Sequence, residues 1–297
     1  IVKEKNKFKQ YHYLKTGGLH MDENMELEVK RRLAQYRKCK CLGIAVWIIV
    51  AFHFLYLLFK IDSRITWLIG GYGYFILGFG LLLLTLILFV ICEMIIMVGT
   101  SKISSALSMD CDPFLYEACI LKSGGFWHKN RLLCNQAMAQ YYQGKFELAW
   151  ETFQRMEVYK LKGKFKLNYY ILMSSLYFRR GMGQQVRELE EAYRKTAQNK
   201  REKKNFQILC ASNNLTRALE NKDYTAAFRF LQERMELNGN LSQTWTKVGF
   251  YFKEAEIYLG LGEKESARLK LEYVTEKGGR LFYVQEARQM LEGMNVR

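Results

Sequence analysis

Two stretches of the chain are apolar almost without interruption, and the longer region after them alternates in a helical rhythm. Leu42 to Phe59 (LGIAVWIIVAFHFLYLLF) is eighteen residues with no formal charge. At about 1.5 Å rise per residue it covers most of a hydrocarbon core about 30 Å thick. Lys60 to Thr66 is polar, and Trp67 to Val98 is apolar again, broken only by the charge of Glu93. The pattern predicts a transmembrane helical hairpin over 42–99, with spans at about 42–59 and 72–97. Tilt or interface takes up the extra length of the second, and Trp67, Tyr72 and Tyr74 belong to the outer interfacial belt. A secretory signal is disfavoured for the first span. The run is too long, no small-residue cleavage site comes after it, and a second span begins directly.

Beyond residue 99 the signal is self-similarity. Four segments share one pattern: AMAQYYQGKFELAWETF (137–153), SSLYFRRGMGQQVRELE (174–190), TRALENKDYTAAFRFL (216–231) and AEIYLGLGEKESARLKL (255–271). Each reads as a small residue on a first helix, a turn, then a small residue on a second helix with a bulky position four residues later. Small residues let paired helices approach, and the turn wants a residue that tolerates positive φ.

These segments resemble the tetratricopeptide repeat. In the first, Ala137, Gly144, Phe146, Ala149 and Phe153 fall on the positions where that family has its small, glycine, aromatic, alanine and phenylalanine residues. The fourth matches through Ala255, Tyr258, Gly262, Ala267 and Leu271. The third keeps Tyr224, Ala227 and Leu231 but has Lys222 where glycine is usual, and the second has Gly181 and Val186 with a polar Glu190. The small second-helix positions are 37, 41 and 40 residues apart, wider than the family's usual spacing, so the connections between repeats are longer. The resemblance implies an all-α chain, an N-terminal hairpin followed by a tetratricopeptide-like α-solenoid over 128–297. The layout is similar to bacterial membrane-anchored tetratricopeptide proteins. A plain irregular helical bundle is the alternative.

Between hairpin and repeats, 100–127 is expected to hold a connecting helix. Asp112 is its N-cap, Pro113 its first position and Lys122 its approximate end before Gly124-Gly125. A last amphipathic helix, Leu281–Leu291, comes after Gly278-Gly279.

Charge sets the orientation. Residues 1–41 carry eleven Lys or Arg against five Asp or Glu, and Arg31, Arg32, Arg37, Lys38 and Lys40 crowd the entrance to the first span. The connecting loop offers Lys60 and Arg64 against Asp62. The basic juxtamembrane segment 21–41 is therefore expected inside, with both termini cytoplasmic, in a two-span protein of the cell membrane. Residues 1–20 are expected to be disordered or untranslated. Gly17-Gly18 can encode a bacterial ribosome-binding site at the right distance before Met21.

The remaining chemistry is sparse. Seven cysteines scatter without C-x-x-C spacing, as suits a reducing compartment. The histidines 12, 20, 53 and 128 form no metal or triad pattern, and neither a P-loop nor G-x-S-x-G occurs. The chain is read as non-enzymatic, with no catalytic residue, metal or cofactor. Glu93 sits near the cytoplasmic end of its span, where it can snorkel, His53 packs, and Gly71/Gly78 and Gly73/Gly80 form a smooth face.

Tetratricopeptide arrays hold a peptide in the groove of their first helices, and the resemblance implies such a partner here. One subclass clamps a C-terminal carboxylate with Lys and Asn. Cys134 and Met138 stand at the corresponding places of the first repeat, so that clamp is not expected. Tyr141, Tyr142, Tyr169, Tyr170, Tyr177 and Arg179 are the candidate partner-binding residues. Two basic clusters, Lys160–Lys166 and Arg194–Lys204, read as solvated loops or as contacts to anionic lipid. Nucleic acid is disfavoured because no recognised module is present. The expected function is a membrane-anchored, cytoplasm-facing scaffold for a protein or peptide. A membrane sensor and an accessory subunit of a transport or secretion complex are the alternatives, and the oligomeric state stays open.

Overall fold

The computed structural model describes residues 22–60, 63–123, 129–239 and 242–295, without the side chains at 53–54, 56–60, 63–78, 81 and 295. The readings placed on 1–20, Gly124-Gly125, His128 and the side chains of His53 and Trp67 to Tyr74 lie outside this description. Among the described residues the chain is all α-helical, apart from one 3-10 turn at Val158–Lys160. It divides into two compact units, Asp22–Ser104 and Ser105–Arg297.

The first unit is an antiparallel pair. α1 runs Glu23–Lys60 and α2 Ser63–Ser108. Arg32 donates from Nη1 to the Lys102 carbonyl at 2.9 Å, and the rings of Trp47 and Phe89 meet edge-on at 5.9 Å. Gly43 and Gly99 make the close approach possible: a Cβ on either would stand 3.0 Å from Ile96 or 2.8 Å from Cys39. Large apolar side chains cover the outside of both helices, among them Ile49, Phe52, Leu82 and Leu86, each about half to two-thirds exposed. Within α2, Leu82–Ser108 is long and apolar enough to cross a membrane, and with 11% of its apolar window buried it is not a core helix. Glu93 is exposed on this surface.

The second unit stacks helical hairpins. α3 (Pro113–Lys122) precedes α4 (Lys129–Tyr142) with α5 (Phe146–Gln154). Then come α6 (Gly163–Arg179) with α7 (Gly183–Thr196) and α8 (Lys200–Glu220) with α9 (Tyr224–Asn238). Last are α10 (Thr244–Leu261) with α11 (Lys264–Lys277), and α12 (Phe282–Asn295). Asp112 caps α3 as its sequence predicts, accepting from the Phe114 and Leu115 N–H groups at 3.0 and 2.9 Å. A buried polar network then fixes α3 to the first hairpin. Gln140 and Gln143 donate to the Glu117 carboxylate at 2.9 and 2.6 Å, and Thr152 donates to Gln140 at 2.8 Å. Removing one member of such a set leaves buried groups unpaired, which costs about 1–3 kcal/mol.

The four hairpin turns are built alike. Residues 144, 181, 222 and 262 all have positive φ, at 79°, 67°, 57° and 82°. Each of these N–H groups bonds the carbonyl three residues back, and the next N–H bonds the carbonyl five residues back, as in Lys145 to Gln140 and Glu263 to Tyr258, both 2.9 Å. This paired pattern is the Schellman cap, which favours glycine because a Cβ strains the left-handed conformation. Lys222 takes the same shape without being glycine. Five residues on, Ala149, Val186, Ala227 and Ala267 are wholly buried, and the bulky positions Phe153, Leu231 and Leu271 are at most 1% exposed.

The two irregular repeats have visible reasons. Glu190, polar where a large apolar residue is expected, accepts from Asn213 Nδ2 at 2.7 Å and Arg217 Nη2 at 2.8 Å, so a charged bridge replaces an apolar plug. In the third hairpin the first-helix place equivalent to Ala137 and Ala255 is held by Leu215, 1% exposed. It is filled by a large side chain rather than the small one the pattern leads one to expect, within a cluster of Ala227, Leu231, Phe250 and Ile257.

The stack closes on its own beginning. First helices pack on first helices (α4 on α6, α6 on α8, α10 on α12). α12 also reaches the first hairpin, where the Phe282 ring lies 5.7 Å from Tyr141 and 5.2 Å from Phe146. The turn before α12 docks on the loop before α3. Arg280 N–H bonds the Cys111 carbonyl at 2.9 Å, and a Cβ on Gly279, whose φ is +55°, would stand 2.8 Å from the carbonyls of Asp110 and Cys111.

Candidate functional site

Closure leaves a cavity of about 1180 Å³, lined by α4, α6, α8, α10 and α12 together with the end of α9. Helical periodicity makes the lining. On α6 the stripe is Lys164, Asn168, Ile171, Ser175 and Phe178; on α8 it is Arg201, Lys204, Ile208, Ser212 and Thr216. Steps of three and four residues keep one face of each helix inward while the opposite face packs on its hairpin partner.

One part of the wall is aromatic. Tyr142 meets Trp245 edge-on at 4.9 Å and Tyr283 at 6.3 Å, and Tyr283 lies 5.0 Å from Phe252. Arg234, from the otherwise outer helix α9, turns into this group with its guanidinium 5.1 Å from the centre of the Phe250 ring. Burial pushes its pKa down, opposed by the surrounding tyrosines. Burial also holds the Tyr142 and Tyr283 phenols well above their usual value, with Tyr141 adding to both shifts. Arg234 Nε is sealed from solvent without a hydrogen-bond partner, a state that costs about 1–3 kcal/mol for a buried donor. The Asn205 amide lies beside the Tyr193 hydroxyl, whose pKa burial raises and this amide lowers.

Charge around the cavity is uneven. Arg179 pairs with Glu286 at 3.5 Å and Lys253 with Glu256 at 2.6 Å. Lys164, Arg201, Lys204 and Arg234 also line it, and among the described residues none of the four has an ion pair. Glu220 is the remaining acid on the wall, its pKa raised by burial against the pull of Arg217.

The six residues proposed from sequence divide evenly. Tyr141, Tyr142 and Arg179 stand on the cavity wall, with the Arg179 guanidinium 3.8 Å from the Phe146 ring centre. Tyr169, Tyr170 and Tyr177 fill the space between hairpins, where Tyr169 meets Phe153 at 5.5 Å, Tyr170 meets Tyr193 at 4.8 Å and Tyr177 meets Trp150 at 5.0 Å. Sequence reasoning passed over Arg234, Trp245 and Tyr283, which only closure of the stack brings together. Lys164, Arg201 and Lys204 did carry a signal, as members of the two basic clusters.

No family model, curated protein or solved structure matches this chain. The all-α architecture, which is compatible with a helical repeat fold, therefore rests on its own geometry.

Proposed function

We propose that the chain is a membrane-anchored scaffold whose tetratricopeptide-like repeats hold a protein or peptide segment at the cytoplasmic face. The observation that carries this reading is the cavity itself. At about 1180 Å³ it exceeds the roughly 300–1,000 Å³ of small-molecule pockets, and polar side chains such as Asn168, Ser175, Thr216 and Gln243 line it beside the aromatic ones. A structural core would be filled. An extended peptide presents a carbonyl at every residue and suits a wall that offers donors from several helices.

The two-span anchor, at 42–59 and 72–97, is supported by the outward apolar cover of α1 and α2 and by the basic residues ahead of Leu42. Proximity labelling from the C-terminus, with and without residues 101–297, tests recruitment. The expected outcome is a set of cytoplasmic neighbours lost on truncation. Identical neighbours from both forms would show that the repeats recruit nothing.

A further inference from the structure

The two basic clusters of the sequence are separated by α6 and α7, yet folding brings both to one side of the cavity. Lys164 stands in the first turn of α6, and Arg201 and Lys204 in the first turns of α8. All three are exposed and all three line the cavity. Arg201 reaches across to α6, its Nη2 3.3 Å from where a Cβ on Gly163 would lie. The first turns of two helices, with their free N–H groups, add positive potential at the same place.

Nearby acids are already engaged on other faces. Glu202 takes Lys166 at 3.3 Å and the Tyr193 hydroxyl at 2.8 Å. Glu191 takes Arg194 at 2.8 Å, and Glu157 pairs with Lys160 at 2.5 Å. The cations of the two clusters that face away from the cavity include paired ones, whereas the three on its wall have no ion pair among the described residues. Farther along the wall stands Arg234, its guanidinium against the Phe250 ring and without an ion pair among the described residues. The cavity thus offers unneutralised positive charge at an exposed rim and farther along its wall.

We propose that its ligand is an acidic peptide segment, with carboxylates on Lys164, Arg201 and Lys204. This rests on the peptide-holding function above and adds the sign and position of the ligand's charge. An inorganic anion or a lone headgroup would meet the rim but leave most of the cavity's about 1180 Å³ unfilled.

The test uses the full chain in nanodiscs of zwitterionic lipid. Two fluorescein-labelled peptide libraries are compared by anisotropy, one with Glu or Asp at alternate positions and one with Gln or Asn in their place. The variant is the triple Lys164→Glu, Arg201→Glu, Lys204→Glu. The control is Lys203→Glu, an exposed position on α8 away from the cavity wall, and circular dichroism checks that each variant keeps its helices. The expected result is binding of the acidic library that weakens with salt. The triple variant should lose at least tenfold in affinity, the control should change less than twofold, and the amide library should bind at least tenfold more weakly. Equal binding of both libraries, unaffected by the triple variant, would overturn the acidic assignment and leave the peptide-holding function standing. Binding of neither library would overturn both. Capture by phosphatidylserine vesicles alone through the same three residues would overturn the acidic-peptide assignment and make the rim a lipid contact.

Discussion

Among the four hairpin turns, the third alone holds a residue other than glycine at its left-handed position, and this makes the repeat geometry measurable. Lys222 has φ of 57°, next to 79°, 67° and 82° for Gly144, Gly181 and Gly262. It is exposed, and no hydrogen bond or ion pair of its side chain is lost on replacement. The left-handed conformation costs a residue with a Cβ roughly 1–2 kcal/mol. Replacing it with glycine removes that strain but adds unfolded-state freedom worth about 0.4–1 kcal/mol. Lys222→Gly should therefore stabilise the repeat unit by about 0.5–1 kcal/mol, a rise in Tm of about 1–4 °C for a unit of this size. Gly262→Ala is the mirror experiment, since it introduces the same strain with no gain beyond the unfolded-state term, and it should lower Tm by a similar amount. Thermal unfolding of the detergent-solubilised chain, monitored by tryptophan fluorescence, reads both. A fall in Tm for Lys222→Gly, as glycine within a helix would give, would mean that this turn lacks the shared cap and that the hairpins are not equivalent.

Three further expectations rest on particular contacts. A Cβ on Gly260 would stand 2.1 Å from the Tyr224 ring, so Gly260→Ala should cost about 1–3 kcal/mol of stability. Adding Tyr224→Ala should cost less than the two single changes summed, as a double-mutant cycle by thermal unfolding would show. Phe282→Ala removes the ring that joins α12 to Tyr141 and Phe146. Because that ring is only half-buried, the loss should be about 2–3 kcal/mol, below the range for a core phenylalanine, with faster hydrogen exchange over 282–295 as a second readout. Burial pushes the Cys111 and Cys134 thiols up to about 12 from 9.0. Both hold their protons in the folded state while the unfolded chain releases them. Stability contributed by these groups is thus complete below about pH 9. It should fall by up to about 1.4 kcal/mol per pH unit for each thiol between 9 and 12. A flat stability profile over that window would refute it.

Local pattern determined a good deal of this protein. Helical periodicity and glycine placement are short-range properties, so the hairpins around Gly144 and Gly262, the Asp112 cap and the apolar segments were all readable residue by residue. The weaker repeats were readable only in outline, because their departures are answered by distant residues. Glu190 is acceptable because Asn213 and Arg217 on α8 reach it, and Leu215 is acceptable because its neighbours leave room. Nothing in the sequence announces that α12 returns to the first hairpin. That return depends on small rotations accumulated from repeat to repeat, and no single segment encodes them. The tertiary structure alone therefore decided that Tyr142, Arg234, Trp245 and Tyr283 share a wall, while Tyr169, Tyr170 and Tyr177 became packing. It also decided that two basic clusters, separate along the chain, meet at one cavity. Charge and hydrophobicity are written position by position, whereas a cavity exists only between elements that the chain has already brought together.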